Sequence, residues 1–103
     1  GGNKMKLNAT EKVVVNEVMK KWRAYVKPSY GLLSNNPQEQ FGEYYTYENY
    51  ALEWLDTVCA TNDYNEILTE TEMQNITNEI KNRVAKAEKK DKDTFNKIVR
   101  SLA

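Results

Sequence analysis

Glu39, Glu43, Glu48 and Glu53 alternate with Phe41, Tyr44, Tyr45, Tyr47, Tyr50 and Trp54 in PQEQFGEYYTYENYALEW, residues 37–54, a stretch without Lys or Arg. Two carboxylates one helical turn apart, such as Glu39 and Glu43, have the spacing to put two oxygens on one cation. No further ligand stands near them in the sequence, so the pair reads as a solvated helix face. The chain has no histidine, which removes the commonest general base near neutral pH and the commonest metal ligand. Histidine-dependent triads and zinc motifs are therefore excluded.

The remaining chemical groups are sparse. Cys59 is the one cysteine; it falls on the apolar side of a predicted helix, where a thiol acts as a small buried hydrophobe rather than as a nucleophile. Asp91-Lys92-Asp93 lacks the other ligands and the glycine of a calcium loop. The glycines, Gly1, Gly2, Gly31 and Gly42, are too scattered to form a phosphate-binding loop. The expectation is a protein that is not an enzyme and uses no cofactor and no metal.

Recognition fits these residue types better. Tyr and Trp are enriched at the centres of protein interfaces, and an acidic rim steers a basic partner toward them. Glu39, Glu43, Tyr45, Glu48 and Glu53 are the expected partner-binding residues, in an accessory or inhibitory protein of the kind found in a microbe or phage. The competing reading makes the aromatics core, with tyrosine hydroxyls reaching its edge. Self-association through aromatic surface, giving a homo-oligomer, is a further possibility.

Charge is segregated behind a net value of zero. Residues 1–27 carry seven bases against two acids, residues 28–80 carry ten acids and no base, and residues 81–103 carry eight bases against three acids. The acidic middle is either neutralised by the two basic ends or left exposed as a docking face. The basic C-terminal end supports an alternative function, nucleic-acid binding by Lys89, Lys90, Lys92, Lys97 and Arg100, with a helix-turn-helix-like turn near residue 91. The acidic middle would repel phosphates over a Debye length of about 8 Å.

The elements that position these residues follow from periodicity and caps. Asn8-Ala9-Thr10-Glu11 has the spacing of a capping box, and Val15, Val18, Met19, Trp22, Tyr25 and Val26 recur at helical spacing, predicting a helix over about 9–26. Pro28 helps to end it. Asn36-Pro37-Gln38-Glu39 starts a second helix over 37–60, with Tyr44, Tyr47, Ala51, Trp54, Leu55 and Val58 on one face and a break near Gly42 as the alternative. Asp63 is expected to cap a short turn that sends Tyr64, Ile67 and Leu68 coreward.

Thr69-Glu70-Thr71-Glu72 is another capping box, opening a helix over 70–89 whose narrow stripe, Met73, Ile76, Ile80, Val84 and Ala87, suggests a peripheral position. Asp91 or Asp93 is expected to cap a last helix over 93–102, with Phe95, Ile98, Val99 and Leu102 on one face. The fold class is all-α, a small bundle of about four helices, in one domain over residues 5–103. Gly1–Lys4 reads as an appended remnant ahead of a native start at Met5. No apolar stretch reaches bilayer-spanning length and a lone cysteine makes no internal disulfide, so the expected location is cytoplasmic, with no membrane partner. Asn8-Ala9-Thr10 and Asn75-Ile76-Thr77 match the glycosylation pattern and are read as chance.

Overall fold

The computed structural model describes residues 6–25 and 47–102, and every element in them is helical. The all-α class holds. In chain order the helices are α1 (Ala9–Tyr25), α2 (Tyr47–Thr61), α3 (Tyr64–Ile67) and α4 (Glu70–Leu102). The expectations for residues 1–4, for the Pro28 boundary and for the start of the second helix at 37 lie outside the described residues.

Both capping boxes form as their spacing predicts. The backbone N–H of Asn8 donates to Glu11 Oε1 (2.7 Å) while the Glu11 N–H donates to Asn8 Oδ1 (2.8 Å). At α4, Thr69 N–H donates to Glu72 Oε1 (3.0 Å) and Glu72 N–H to Thr69 Oγ1 (3.1 Å). Each box satisfies helix-start donors that have no partner within the helix. The boxes are also joined to one another. Asn8 Nδ2 donates to Glu72 Oε2 (2.9 Å), and Asn75 Nδ2 donates to Glu11 Oε2 (2.9 Å). Glu11, only 3% exposed, thus takes a backbone donor on one oxygen and a side-chain donor on the other, which is what makes its burial tolerable.

These links fix α1 and α4 as parallel neighbours. Further along, Arg83 Nη1 donates to Asn16 Oδ1 (3.1 Å) while its Nε donates to Glu79 at 2.8 Å. The paired residues are 64 to 67 positions apart in sequence. Asn8 and Asn75, the asparagines of the two glycosylation-like triplets, thus have their side-chain amides engaged between the helices.

The core is built from one stripe of each long helix. Val14, Val15, Val18, Met19 and Trp22 of α1 meet Ala51, Leu55, Val58 and Cys59 of α2 and Ile76, Ile80 and Val84 of α4, all buried, with Leu7 closing the start. Each long helix packs on the other two. The β-branched run Val13-Val14-Val15 has modest helix propensity, and burial of two of the three against α2 and α4 decides the conformation. The narrow stripe of α4 is therefore no sign of a peripheral helix: Ile76, Ile80 and Val84 stand at a four-residue spacing that needs little width to fill the seam between two neighbours.

Two further expectations are corrected. Asp63 makes no side-chain cap bond to α3; its backbone is left-handed, φ 58°. Asn62 ends α2, its side-chain Nδ2 donating to Val58 O (2.9 Å), and Asp63, a residue type that tolerates the left-handed region, reverses the chain where no glycine is available. Tyr64 and Leu68 pack against the core as expected, but Ile67 is 64% exposed.

The larger correction concerns residues 89–93. The predicted helices 70–89 and 93–102 are one continuous helix, with no turn near 91 and no cap at Asp91 or Asp93. Thr94 Oγ1 donates to Lys90 O (2.9 Å) inside the helix. Lys89-Lys90-Asp91-Lys92-Asp93 contains neither Gly nor Pro, and an exposed Asp in a helix interior costs well under about 1 kcal/mol relative to Ala. Asp93 precedes Lys97 by one turn, the favourable order for an acid and a base. Nothing in that stretch is strong enough to stop a helix already under way.

Candidate protein-recognition surface

α2 carries Glu48, Glu53 and Asp56, all exposed, and no basic residue. Its core stripe turns Ala51, Leu55, Val58 and Cys59 inward. Tyr50, Glu53, Trp54 and Thr57, at i, i+3, i+4 and i+7, then fall together beside that stripe. They line a shallow groove of about 280 Å³. Tyr50 and Trp54 are half-buried and packed against the core cluster, whereas Glu53 and Thr57 are exposed. Thr57 Oγ1 donates to Glu53 O (3.1 Å), so its hydroxyl is held to the helix and the groove wall there is largely its methyl.

This arrangement presents two aromatic side chains anchored from below, with a carboxylate at their edge. It suits a cation with an apolar stem: an ammonium or guanidinium group over an aromatic face gains roughly 0.5–2 kcal/mol, more as water is excluded. Asp56 follows Glu53 by three residues and lies next to it around the helix, extending the acidic border. Glu48 does not join them. It is five residues from Glu53, which at about 100° per residue places the two roughly 140° apart. Of the expected partner-binding residues, then, Glu53 lies in the groove, Glu48 lies on another face of α2, and Glu39, Glu43 and Tyr45 lie outside the described residues. Tyr50, Trp54 and Thr57 were not among them, Trp54 being expected on the core face; the i, i+4, i+7 spacing of the three was the available signal.

The alternative set is on α4. Lys89, Lys90, Lys97 and Arg100 are exposed there; Lys92 is within the helix and its side chain lies outside the described residues. With α4 continuous, they do not form a helix-turn-helix. The acidic and basic blocks meet in the Arg83 to Glu79 ion pair, 2.8 Å, one turn apart on α4.

Other chemical groups are accounted for structurally. Glu72 has its carboxyl held below the usual range, first by the Thr69 backbone donor and then by the Asn8 amide. Cys59 is fully buried, and desolvation, helped by the nearby Asp56 charge, pushes its thiol above the ordinary value. Since the thiolate is the reactive form, Cys59 should resist iodoacetamide in the native protein at neutral pH and react rapidly once denaturant is added. Equal rates in the two conditions, followed by mass spectrometry, would contradict its placement.

Among the described residues, no group of His, Cys, Asp and Glu is arranged to hold a metal ion, and no helix is long and apolar enough to cross a membrane. Fold and surface together define a small all-α protein with an acid-bordered aromatic groove on its second described helix. The chain matches no protein-family model, no curated protein and no solved structure.

Proposed function

We propose that this chain is a non-catalytic protein-binding module, an accessory or inhibitory protein of the cytoplasm, that captures a partner presenting basic side chains. The observation that carries this reading is the groove on α2, where Tyr50 and Trp54 are braced against the core and Glu53 stands exposed beside them on a helix with no positive charge. Braced aromatics lose little side-chain freedom on binding, and an acidic border raises the rate at which a basic partner arrives.

A synthetic amphipathic helical peptide rich in Lys, Arg and Leu serves as the test ligand. Trp22 is buried in the core and Trp54 lines the groove, so a change in tryptophan emission on titration reports chiefly on Trp54. Binding should weaken with added salt, and the pair Glu53→Lys with Asp56→Lys should weaken it by at least about tenfold, or roughly 1.4 kcal/mol. Both positions are exposed, so circular dichroism and melting temperature should stay close to the parent values. Unchanged affinity in the double variant would remove the groove as the site.

Nucleic-acid binding by Lys89, Lys90, Lys92, Lys97 and Arg100 remains a second reading, supported by the exposure of four of these on one helix. It requires a contact along the side of a straight helix instead of a presented recognition helix. An anisotropy titration with duplex and single-stranded DNA at low salt decides it, since phosphate-driven binding is strongest there.

A further inference from the structure

The bond from Arg83 to Asn16 crosses the seam between the parallel helices α1 and α4 on its solvent side. Neighbours across the seam can be counted from it. Seven residues, or two turns, further along both helices stand Arg23 on α1 and Lys90 on α4, at the same angular positions to within about 20°. One turn along stand Lys20, four residues past Asn16, and Lys86, three past Arg83. Lys20, Arg23, Lys86 and Lys90 are all exposed, so the later half of the seam carries two cations from each helix at matching levels.

The carboxylates of α1 and α4 do not balance them at this level. Glu72 and Glu79 lie earlier along the seam, where Glu72 accepts from Asn8 and Glu79 from Arg83. Glu17 and Glu88 are close in sequence, but helical angle turns Glu17 about 100° from Asn16 and Glu88 about 140° from Arg83. Asp93, one turn beyond Lys90, marks the far edge. Like charges on neighbouring helical positions repel, and here four are kept together. The acids Glu53 and Asp56 belong to α2, behind the pair. The width of a helix, about 10 Å, exceeds the Debye length of about 8 Å in physiological salt, so they do not cancel the field in front of the seam.

Resting on the nucleic-acid reading, and moving its site from the end of α4 to the seam, we infer that this face binds the phosphate backbone of duplex DNA, with Lys20, Arg23, Lys86 and Lys90 as the phosphate contacts. The chemistry of the face selects that occupant. Among the described residues at these levels, the exposed side chains beside the four cations are polar or small, such as Asn82 and Ala24. Trp22, the aromatic of this part of α1, is buried beneath them. The aromatic and apolar centre of a protein interface is therefore lacking, and so is a platform on which unpaired bases could stack, as single-strand binders use. Two rigid rows of cations suit a regular array of phosphates, which a DNA duplex presents at one charge per ~1.7 Å of its axis whatever its sequence. Lys97, seven residues past Lys90, continues the row on α4.

Fluorescence anisotropy of a short labelled DNA duplex, titrated with the full chain at several salt concentrations, tests this. Binding should be indifferent to sequence, and log Kd should rise with log salt at a slope of about 3–4, four phosphate contacts at about 0.9 each. Lys20→Ala with Lys86→Ala, and separately Arg23→Ala with Lys90→Ala, should each weaken binding by at least about tenfold at low salt and lower the slope by about 2. Lys89→Ala with Arg100→Ala, at positions that helical angle turns off the seam, should leave the slope as in the parent. The melting temperature of the seam variants should stay at or above that of the parent, because each change relieves like-charge repulsion; a fall accompanying the lost binding would assign these side chains to the fold and overturn the inference. Tighter binding to the single strand, or equally tight binding to polyglutamate, also overturns it. If the duplex binds but the loss follows Lys89 and Arg100 instead of the seam pairs, the inference fails and the nucleic-acid reading stands. If no duplex binds at low salt, both fail.

Discussion

Trp22→Ala should lower stability by about 3–5 kcal/mol, the range for deleting a buried aromatic side chain. Trp22 has no exposed surface and is among the largest fully buried side chains. It lies near the end of α1, at about the level of Val84 and Ala87 on α4, within the core that α1, α2 and α4 share. Small proteins have roughly 5–15 kcal/mol in total, so the variant would be left marginal or unfolded at room temperature. Urea denaturation followed by circular dichroism measures the change. Trp22→Phe, which keeps most of the volume, should cost clearly less. A loss below about 1 kcal/mol for Trp22→Ala would mean that the site is not packed as described.

Glu11→Ala is expected to cost about 2–3 kcal/mol, combining a lost helix cap with stranded donors at Asn8 and Asn75. Glu11 joins its own capping box to Asn75 of α4, using a different oxygen for each. Glu11→Gln separates the two contributions: an amide has one acceptor oxygen where the carboxylate has two, so it serves either the box or Asn75 but not both. Its cost should be about half that of the alanine change. Combining Glu11→Ala with Asn75→Ala should cost less than the sum of the two single changes, because each already breaks the same bond. Strict additivity in denaturation, or a Glu11→Ala loss under about 0.5 kcal/mol, would argue against the link.

The parts of this fold that were legible in the sequence are those with a local signature. Asn8 with Glu11 and Thr69 with Glu72 are three apart, and the reciprocal bonds they predict are made. The stripes ending in Trp22, Val58 and Val84 declared themselves by helical period, and Cys59 fell on the buried side as its position required. What could not be read was decided by competition or by distance. The charges at 89–93 resemble a cap only if a helix has already ended, and a helix with no Gly or Pro in its path does not end. Asp63 resembles an N-cap, but its backbone is used to turn the chain out of α2. No local pattern pairs Glu11 with Asn75, because their bond spans 64 residues. Of the groove only Glu53 was legible as a contact residue, since Trp54 was placed on the core face, and grouping acids by nearness in sequence put Glu48 with Glu53, whereas helical angle separates them.

The interlocked helix starts have a consequence for the whole molecule. Parallel neighbours bring two positive helix ends together, an arrangement that the carboxylates of Glu11 and Glu72 offset. Beyond that, a parallel pair held by apolar side chains alone can slip by a turn, about 5.4 Å, and bury much the same surface. The Asn8–Glu72 and Glu11–Asn75 bonds exist at one register, and slippage would break both while exposing Glu11's partners unpaired. The paired caps therefore serve as a common origin from which both helices are measured out. The length by which α4 outruns α1 is a subtraction counted from this origin. Inserting one helical turn into α4 above Ala87 should carry its C-terminal residues about 5.4 Å further along without disturbing the core below.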